Sequence, residues 1–202
     1  MGNLINYINQ ENPEKEQEEK IFKRVLTRTF AEEGGYENRK HRIEQPTNMG
    51  ITQSTLSRFK NSNPQLAKDY PSDIKDLTTQ QASQIYKKDY FEPYHIGQIK
   101  HKPLQETMFD SFVNHSPKGP SLWAQQAINK HTSMKVKEDG IFGPRTVSAL
   151  NRLNEGNELK NVNNYILDKR LEDRNKQIKQ QGLLYQQRTT GIPNRINRFR
   201  IK

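Results

Sequence analysis

An all-α fold with at most a small β element is what this sequence predicts, on three observations. Apolar residues recur at helical spacing in several segments, as in Ile21, Phe22, Val25, Leu26, Thr29 and Phe30. Helix-start signals stand where such segments begin, among them a capping box at Thr78 and Gln81 and prolines at 103 and 144. Only one short stretch, Thr47-Asn48-Met49-Gly50-Ile51-Thr52, looks extended, as one arm of a small hairpin. No internal repeat is visible.

In chain order, residues 7–20 are rich in Glu, Gln, Asn and Lys and read as a solvated arm or a helical extension. A helix over 20–33 follows, then a polar loop over 37–46. Thr52 caps a short helix reaching about Lys60, and residues 61–75, with Asn63-Pro64 and Tyr70-Pro71, form a loop. The helix opened at Thr78 turns Ala82, Ile85, Tyr86 and Tyr90 inward and ends at Pro93. From Pro103, the residues Leu104, Met108, Ser111, Phe112 and His115 share one face. A break at Pro117 to Pro120 leads into a helix carrying Leu122, Trp123, Ala127 and Ile128. Asp139-Gly140 marks a tight turn, and Gly143-Pro144 opens a helix with Val147, Leu150 and Leu153. A long polar helix runs over about 158–180.

Composition narrows the partners. Hydrophobic residues make up 31% of the 202, and the mean hydropathy is −1.09, so the core is lean. Lys and Arg outnumber Asp and Glu by 33 to 23, a net charge of +10, which favours anionic partners without choosing among nucleic acid, acidic membrane or cell envelope. With no cysteine, disulfide frameworks and thiolate metal sites are excluded. The five histidines lack zinc-ligand spacing, so no metal or other cofactor is expected. No secretory signal is visible, and no apolar run reaches membrane-spanning length. A soluble protein is expected, made in a cytoplasm and delivered to its target by other means.

The stretch Glu32-Glu33-Gly34-Gly35-Tyr36 is where chemistry first suggests itself. At about 100° per residue Glu33 falls near the middle of the apolar stripe and Glu32 on its edge, and Gly34 ends the helix. A carboxyl group at the end of an apolar stripe is partly desolvated, which raises its pKa toward that of a general acid. A surface Glu on a fraying helix end fits the same residues. Glycoside hydrolysis needs a second group besides the acid, and Glu37, Glu44 and the Thr47 hydroxyl are the candidates in the loop that follows.

EEGGY followed by TNMGIT, with Thr47 fourteen residues after Glu33, resembles the glycoside hydrolase family 108 muramidases. DIKDLTTQQASQIYKKDYF and FDSFVNHSPKGPSLWAQQAINK look like later parts of that domain. DGIFGPRTVSALN and GIPNRINRF look like the peptidoglycan-binding domain that usually follows it. The resemblance implies a lysozyme-like, mainly α fold with a small β-hairpin, then a small helical peptidoglycan-binding domain. The organisation it suggests is a polar arm (1–20), a catalytic domain (21–115), a peptidoglycan-binding-like domain (116–185) and a basic tail (186–202).

Carried over residue by residue, Glu33 matches the family's catalytic Glu and Thr47 its TNxGIT threonine, a supporting group. Glu44 is the best second carboxylate, because no Asp lies between Glu33 and Thr47 where the family usually has one. Glu32 stands where the family usually has His. Tyr36, Asn48, Gly50 and Asn114 are the expected substrate contacts. Asp110 reads as substrate or loop support, or as a buried group bonding to backbone. Asp139 is expected to cap the following helix, and Trp123 to be core, with stacking on a sugar as its other reading.

The implied activity is hydrolysis of the β-1,4 bond after N-acetylmuramic acid in peptidoglycan, in a phage endolysin or virion-carried lysozyme whose N-terminal arm docks a virion or tail partner. A wall-binding module with a decayed active site is the second reading, motivated by the missing loop Asp. A nucleic-acid-binding protein is the third, motivated by the net charge and by the tail RINRFRIK. No nucleic-acid partner and no stable membrane insertion are expected.

Overall fold

The computed structural model describes residues 13–33, 47–181 and 191–202; within these, the side chains of residues 30–33, 181 and 192 are not described. The fold is mainly α with one two-stranded hairpin, as expected. It divides into two compact units, residues 1–87 and 88–202. That division falls inside the span 21–115 expected to be one catalytic domain.

The first unit begins with α1 (Pro13–Glu33), which buries Ile21, Phe22, Val25, Leu26 and Thr29. The polar arm is thus a helical extension from residue 13 on. Its Glu19 pairs with Lys87 at 2.5 Å, and the Lys87 ammonium also sits 5.6 Å from the Phe22 ring centroid. Strands β1 (Thr47–Asn48) and β2 (Ile51–Thr52) pair antiparallel with Thr47 opposite Thr52. Thr52 then caps α2 (Gln53–Ser62) by accepting from the Thr55 N–H. Leu56 and Phe59 of α2 are buried, and the Phe59 ring lies 5.0 Å from Tyr70.

The loop over 61–75 contains two short 3₁₀ turns, at Ala67–Asp69 and Ile74–Asp76. Helix α3 (Thr79–Tyr86) opens with the capping box at Thr78 and Gln81. It passes into a π-helical turn over Lys87–Phe91. The wider turn takes one extra residue, so Phe91 is buried in place of Tyr90, which is half-exposed. The expected inward Tyr90 is corrected on that ground.

In the second unit, Phe91 meets Phe109 edge-on at 6.2 Å, and Tyr94 stacks on Phe112 at 3.9 Å. Helices α4 (Lys102–Asn114) and α5 (Lys118–His131) pack directly on the long α7 (Asn157–Gln181), and α6 (Pro144–Asn151) packs on α5. Pro103 stands in the first turn of α4, as its missing N–H allows. Val162, Ile166 and Leu167 form the buried stripe of α7.

The basic C-terminal segment folds back onto α7. Short helix α8 (Ile192–Asn197) buries Ile196, and Phe199 follows, both packed with Leu167. Asn163 donates to the Phe199 carbonyl at 2.9 Å, while Asn164 donates to the Ile201 carbonyl and accepts from its N–H. Backbone groups that water would otherwise satisfy are held by two side chains of α7.

Two expectations fail here. Asp139 does not cap α6: its carboxylate accepts from the Ile141 N–H and from Gln125, closing the turn in which Gly140 has φ +73°. Those bonds hold its pKa below the usual carboxylate value. The N-cap of α6 is Gly143, with no side-chain bond. Trp123 is half-exposed, its ring against Gly119 and edge-on to His115 at 5.0 Å, so it is not core.

Candidate active site

Glu33 is the last residue of α1, and the buried stripe leading to it is the one its spacing predicts. The Glu33 side chain lies outside the described residues, as do Tyr36, Glu37 and Glu44. What is described is the hairpin that receives the chain at Thr47.

That hairpin is tightly specified. Asn48 faces Ile51, leaving a two-residue loop, Met49-Gly50, with φ of +51° and +75°. Positive φ at both positions is the mark of a type I′ turn, whose twist matches the strands. Gly50 takes that conformation readily, whereas Met49 is strained in it. The Tyr86 hydroxyl of α3 donates to the Met49 carbonyl at 3.0 Å and fixes the turn. Thr47 is half-buried on β1, and Gly50 is exposed at the loop.

Asn48 is only 8% exposed. Its carboxamide nitrogen donates to the carbonyls of Ile74, Lys75 and Leu77, at 3.1 to 3.2 Å. One side chain thus satisfies the carbonyls of a 3₁₀ turn that has no sheet partner. Gln53 grips the same segment from α2, accepting from the Ile74 N–H and donating to the Ser72 carbonyl. Asn48 therefore positions the hairpin against residues 72–77, whatever else it touches.

Asn114 belongs to the second unit. It ends α4, is exposed, and donates to the Asp110 carbonyl one turn back at 2.7 Å. Asp110 itself is fully buried, and its carboxylate meets guanidinium groups, not backbone. Arg170 of α7 donates to one oxygen at 2.7 Å and Arg195 of α8 to the other at 2.5 Å. Burial disfavours the ionised carboxyl, but the two guanidiniums outweigh it and hold the pKa below the usual value.

His115, one residue after α4, is 3.5 Å from the Asp173 carboxylate. Burial, then the nearby Arg170 charge, lower its pKa to about 4, against the opposing pull of Asp173 and Asp110. It is neutral at pH 7. Nothing in local spacing pointed to Arg170 or Arg195, since their partner lies 60 and 85 residues away.

Among the described residues, no group of three or more His, Asp or Glu side chains could hold a metal ion, and no helix is long and apolar enough to cross a membrane.

Among proteins with curated descriptions, none matches the chain. Among solved structures, the chain is similar to the structure of Brucella abortus SagA, with a TM-score of 0.65 at 21% identity over 90% of this chain and 92% of that one. At that identity the likeness is one of fold. A family model matches less than half the chain but spans the candidate site: residues 26–116, holding Glu33, Thr47, Asn48, Gly50 and Asn114, match Glycosyl hydrolase 108, which supports a lysozyme-like glycoside hydrolase acting on peptidoglycan.

Proposed function

We propose that the chain is a muramidase, hydrolysing the β-1,4 bond between N-acetylmuramic acid and N-acetylglucosamine with Glu33 as general acid. The observation that carries this is the Glycosyl hydrolase 108 match over 26–116, within which Glu33 ends an amphipathic helix whose inner stripe is buried. An acid in that place protonates the departing glycosidic oxygen, worth about 10²–10⁴ in rate. Thr47 supports the attacking water, and Glu44 is the second carboxylate. Tyr36, Gly50 and Asn114 contact the glycan, and Asn48 serves by holding the hairpin that carries Thr47. The +10 charge draws the protein to an anionic envelope. A phage endolysin or virion-carried lysozyme fits the activity, with a virion or tail component as the partner of the N-terminal arm.

Substituting Glu33→Gln tests the assignment. The variant should keep the helical circular dichroism spectrum and lose clearing of purified sacculi, and wild-type digests should contain reducing-end N-acetylmuramic acid by mass spectrometry. Continued clearing by the variant would remove Glu33 from the role, and anhydro ends would make the enzyme a lytic transglycosylase.

The wall-binding reading keeps one observation in its favour, the absence of Asp between Glu33 and Thr47. The nucleic-acid reading rests on the net charge and the tail. In the tail, Arg195 is spent on Asp110 and Arg200 is paired with Asp168.

A further inference from the structure

Residues 86 and 87, side by side where α3 passes into its π-helical turn, hold the two elements that carry Glu33 and Thr47. The Lys87 ammonium pairs with Glu19 at 2.5 Å and lies 5.6 Å from the Phe22 ring centroid, both on α1, whose last residue is Glu33. The Tyr86 side chain reaches the other way. Tyr86 is only 2% exposed, and its hydroxyl donates at 3.0 Å to the Met49 carbonyl, in the turn of the hairpin that begins with Thr47. A π-helical turn within a helix recurs at functional sites. Here it follows directly on the residue whose hydroxyl meets the hairpin.

The hairpin needs such a hold. Each strand is two residues long, and a two-stranded ribbon is marginal by itself. Its I′ turn demands positive φ at both loop positions, which Asn-Gly accepts readily and Met-Gly only at Gly50. With negative φ at Met49 the turn would change type and the strands would splay. Thr47 pairs with Thr52 across the ladder, so a splayed turn displaces the Thr47 hydroxyl. Asn48 anchors the first strand to residues 74–77. The turn itself is gripped at the carbonyl of its strained residue.

We propose that Tyr86 is a positioning residue for hydrolysis: its bond to the Met49 carbonyl holds the strained turn, and through it the register that places Thr47. The role rests on the muramidase reading, which assigns Thr47 to the attacking water. Tyr86 is buried and acts through the backbone of the turn, not on the glycan.

The test uses the full chain, with kcat and KM read from reducing ends released from soluble glycan strands, and hydrogen exchange across residues 47–52. Tyr86→Phe removes the hydroxyl and keeps the ring in the core. It should retain the helical circular dichroism spectrum, lower kcat about tenfold, leave KM unchanged and quicken exchange in the hairpin. Met49→Asn puts Asn-Gly at the turn and should turn over as wild type does. In the double variant Tyr86→Phe/Met49→Asn, most of the lost kcat and protection should return, because the turn then holds without its tether. As a control, Tyr70→Phe removes another buried tyrosine's bond in the same unit, to Gln84 at 2.8 Å, and should leave kcat alone.

Wild-type kcat in Tyr86→Phe overturns the proposal, as does an equal loss in Tyr70→Phe, which would make the effect a general loosening. Failure of Met49→Asn to rescue Tyr86→Phe also overturns it, since the hydroxyl would then act other than by holding the turn. Exchange separates this from the muramidase reading. If hairpin exchange quickens in Tyr86→Phe and recovers in the double variant while wild type releases no reducing ends, the hold on Thr47 stands and the muramidase falls. Hydrolysis by wild type, with exchange and kcat unchanged in Tyr86→Phe, removes the Tyr86 role alone.

Discussion

Removing one member of the buried Asp110–Arg170–Arg195 cluster should have consequences that depend on which member goes. Two guanidiniums face one carboxylate at 2.7 and 2.5 Å, with the Asp110 side chain 0% and Arg170 1% exposed. Arg170 Nε and Nη1 are buried without a hydrogen-bond partner, and Asp110 is a carboxylate that meets both guanidiniums.

Arg195→Met leaves a matched Asp110–Arg170 pair and keeps most of the aliphatic packing of the side chain. Breaking a buried pair costs about 3–5 kcal/mol, and the retained partner places this variant at the low end, about 3 kcal/mol. Asp110→Asn removes the carboxylate that both guanidiniums meet and strands the buried Arg170, which belongs at the top of that range, about 5 kcal/mol. Urea unfolding followed by tryptophan fluorescence reads the second unit, because Trp123 is the only tryptophan. At about 1–3 kcal/mol per molar urea, the Arg195→Met midpoint should fall by about 1 M or more. If Asp110→Asn proves no more destabilising than Arg195→Met, the carboxylate is not the hub and the reasoning fails.

Two other expectations follow from the geometry. His115 has a folded pKa of about 4 against an ordinary 6.5, so the unfolded chain takes up its proton first as pH falls. Its contribution to stability is fully present above about pH 6.5, drains away toward pH 4 and is constant below; at about 1.4 kcal/mol per unit it totals about 3 kcal/mol. The stability gap between wild type and His115→Gln should therefore shrink across that window, and a gap unchanged between the two pH values would refute the buried neutral imidazole. Asn48→Ala removes the donor shared by three carbonyls and should lower first-unit stability by about 2 kcal/mol. Hydrogen exchange at residues 74–77 should quicken, and unchanged protection there would show the turn to be held by other bonds.

Much of the local structure was legible because its causes are local. Thr52 and the Thr78–Gln81 pair announce helix starts through hydroxyl and carboxamide groups within three residues of the backbone they satisfy. The stripe of α1 follows from apolar spacing alone, whereas Glu33 is singled out by the family resemblance, with which that spacing agrees. The hairpin was half-read: its extended strands were expected, but its I′ turn rests on Met49 accepting a positive φ, which no propensity of Met suggests.

The misread features have distant causes. Asp110 next to Asn114 on a helix suggested a substrate group or a backbone bond, but its partners arrive from α7 and α8 only after the second unit closes. The tail was legible only as basic, and it is the tertiary structure that gives Ile196 and Phe199 an apolar surface on α7 and Arg195 a buried carboxylate. Periodicity placed Tyr90 inward, and a π-helical turn gave that place to Phe91. The sequence by itself thus determined which segments become helices, where they start and which face turns inward, because capping and amphipathic spacing act within one or two turns. Only the tertiary structure decided which charges neutralise one another and what the C-terminal segment covers, because desolvation and ion pairing exist only once distant segments exclude water between them.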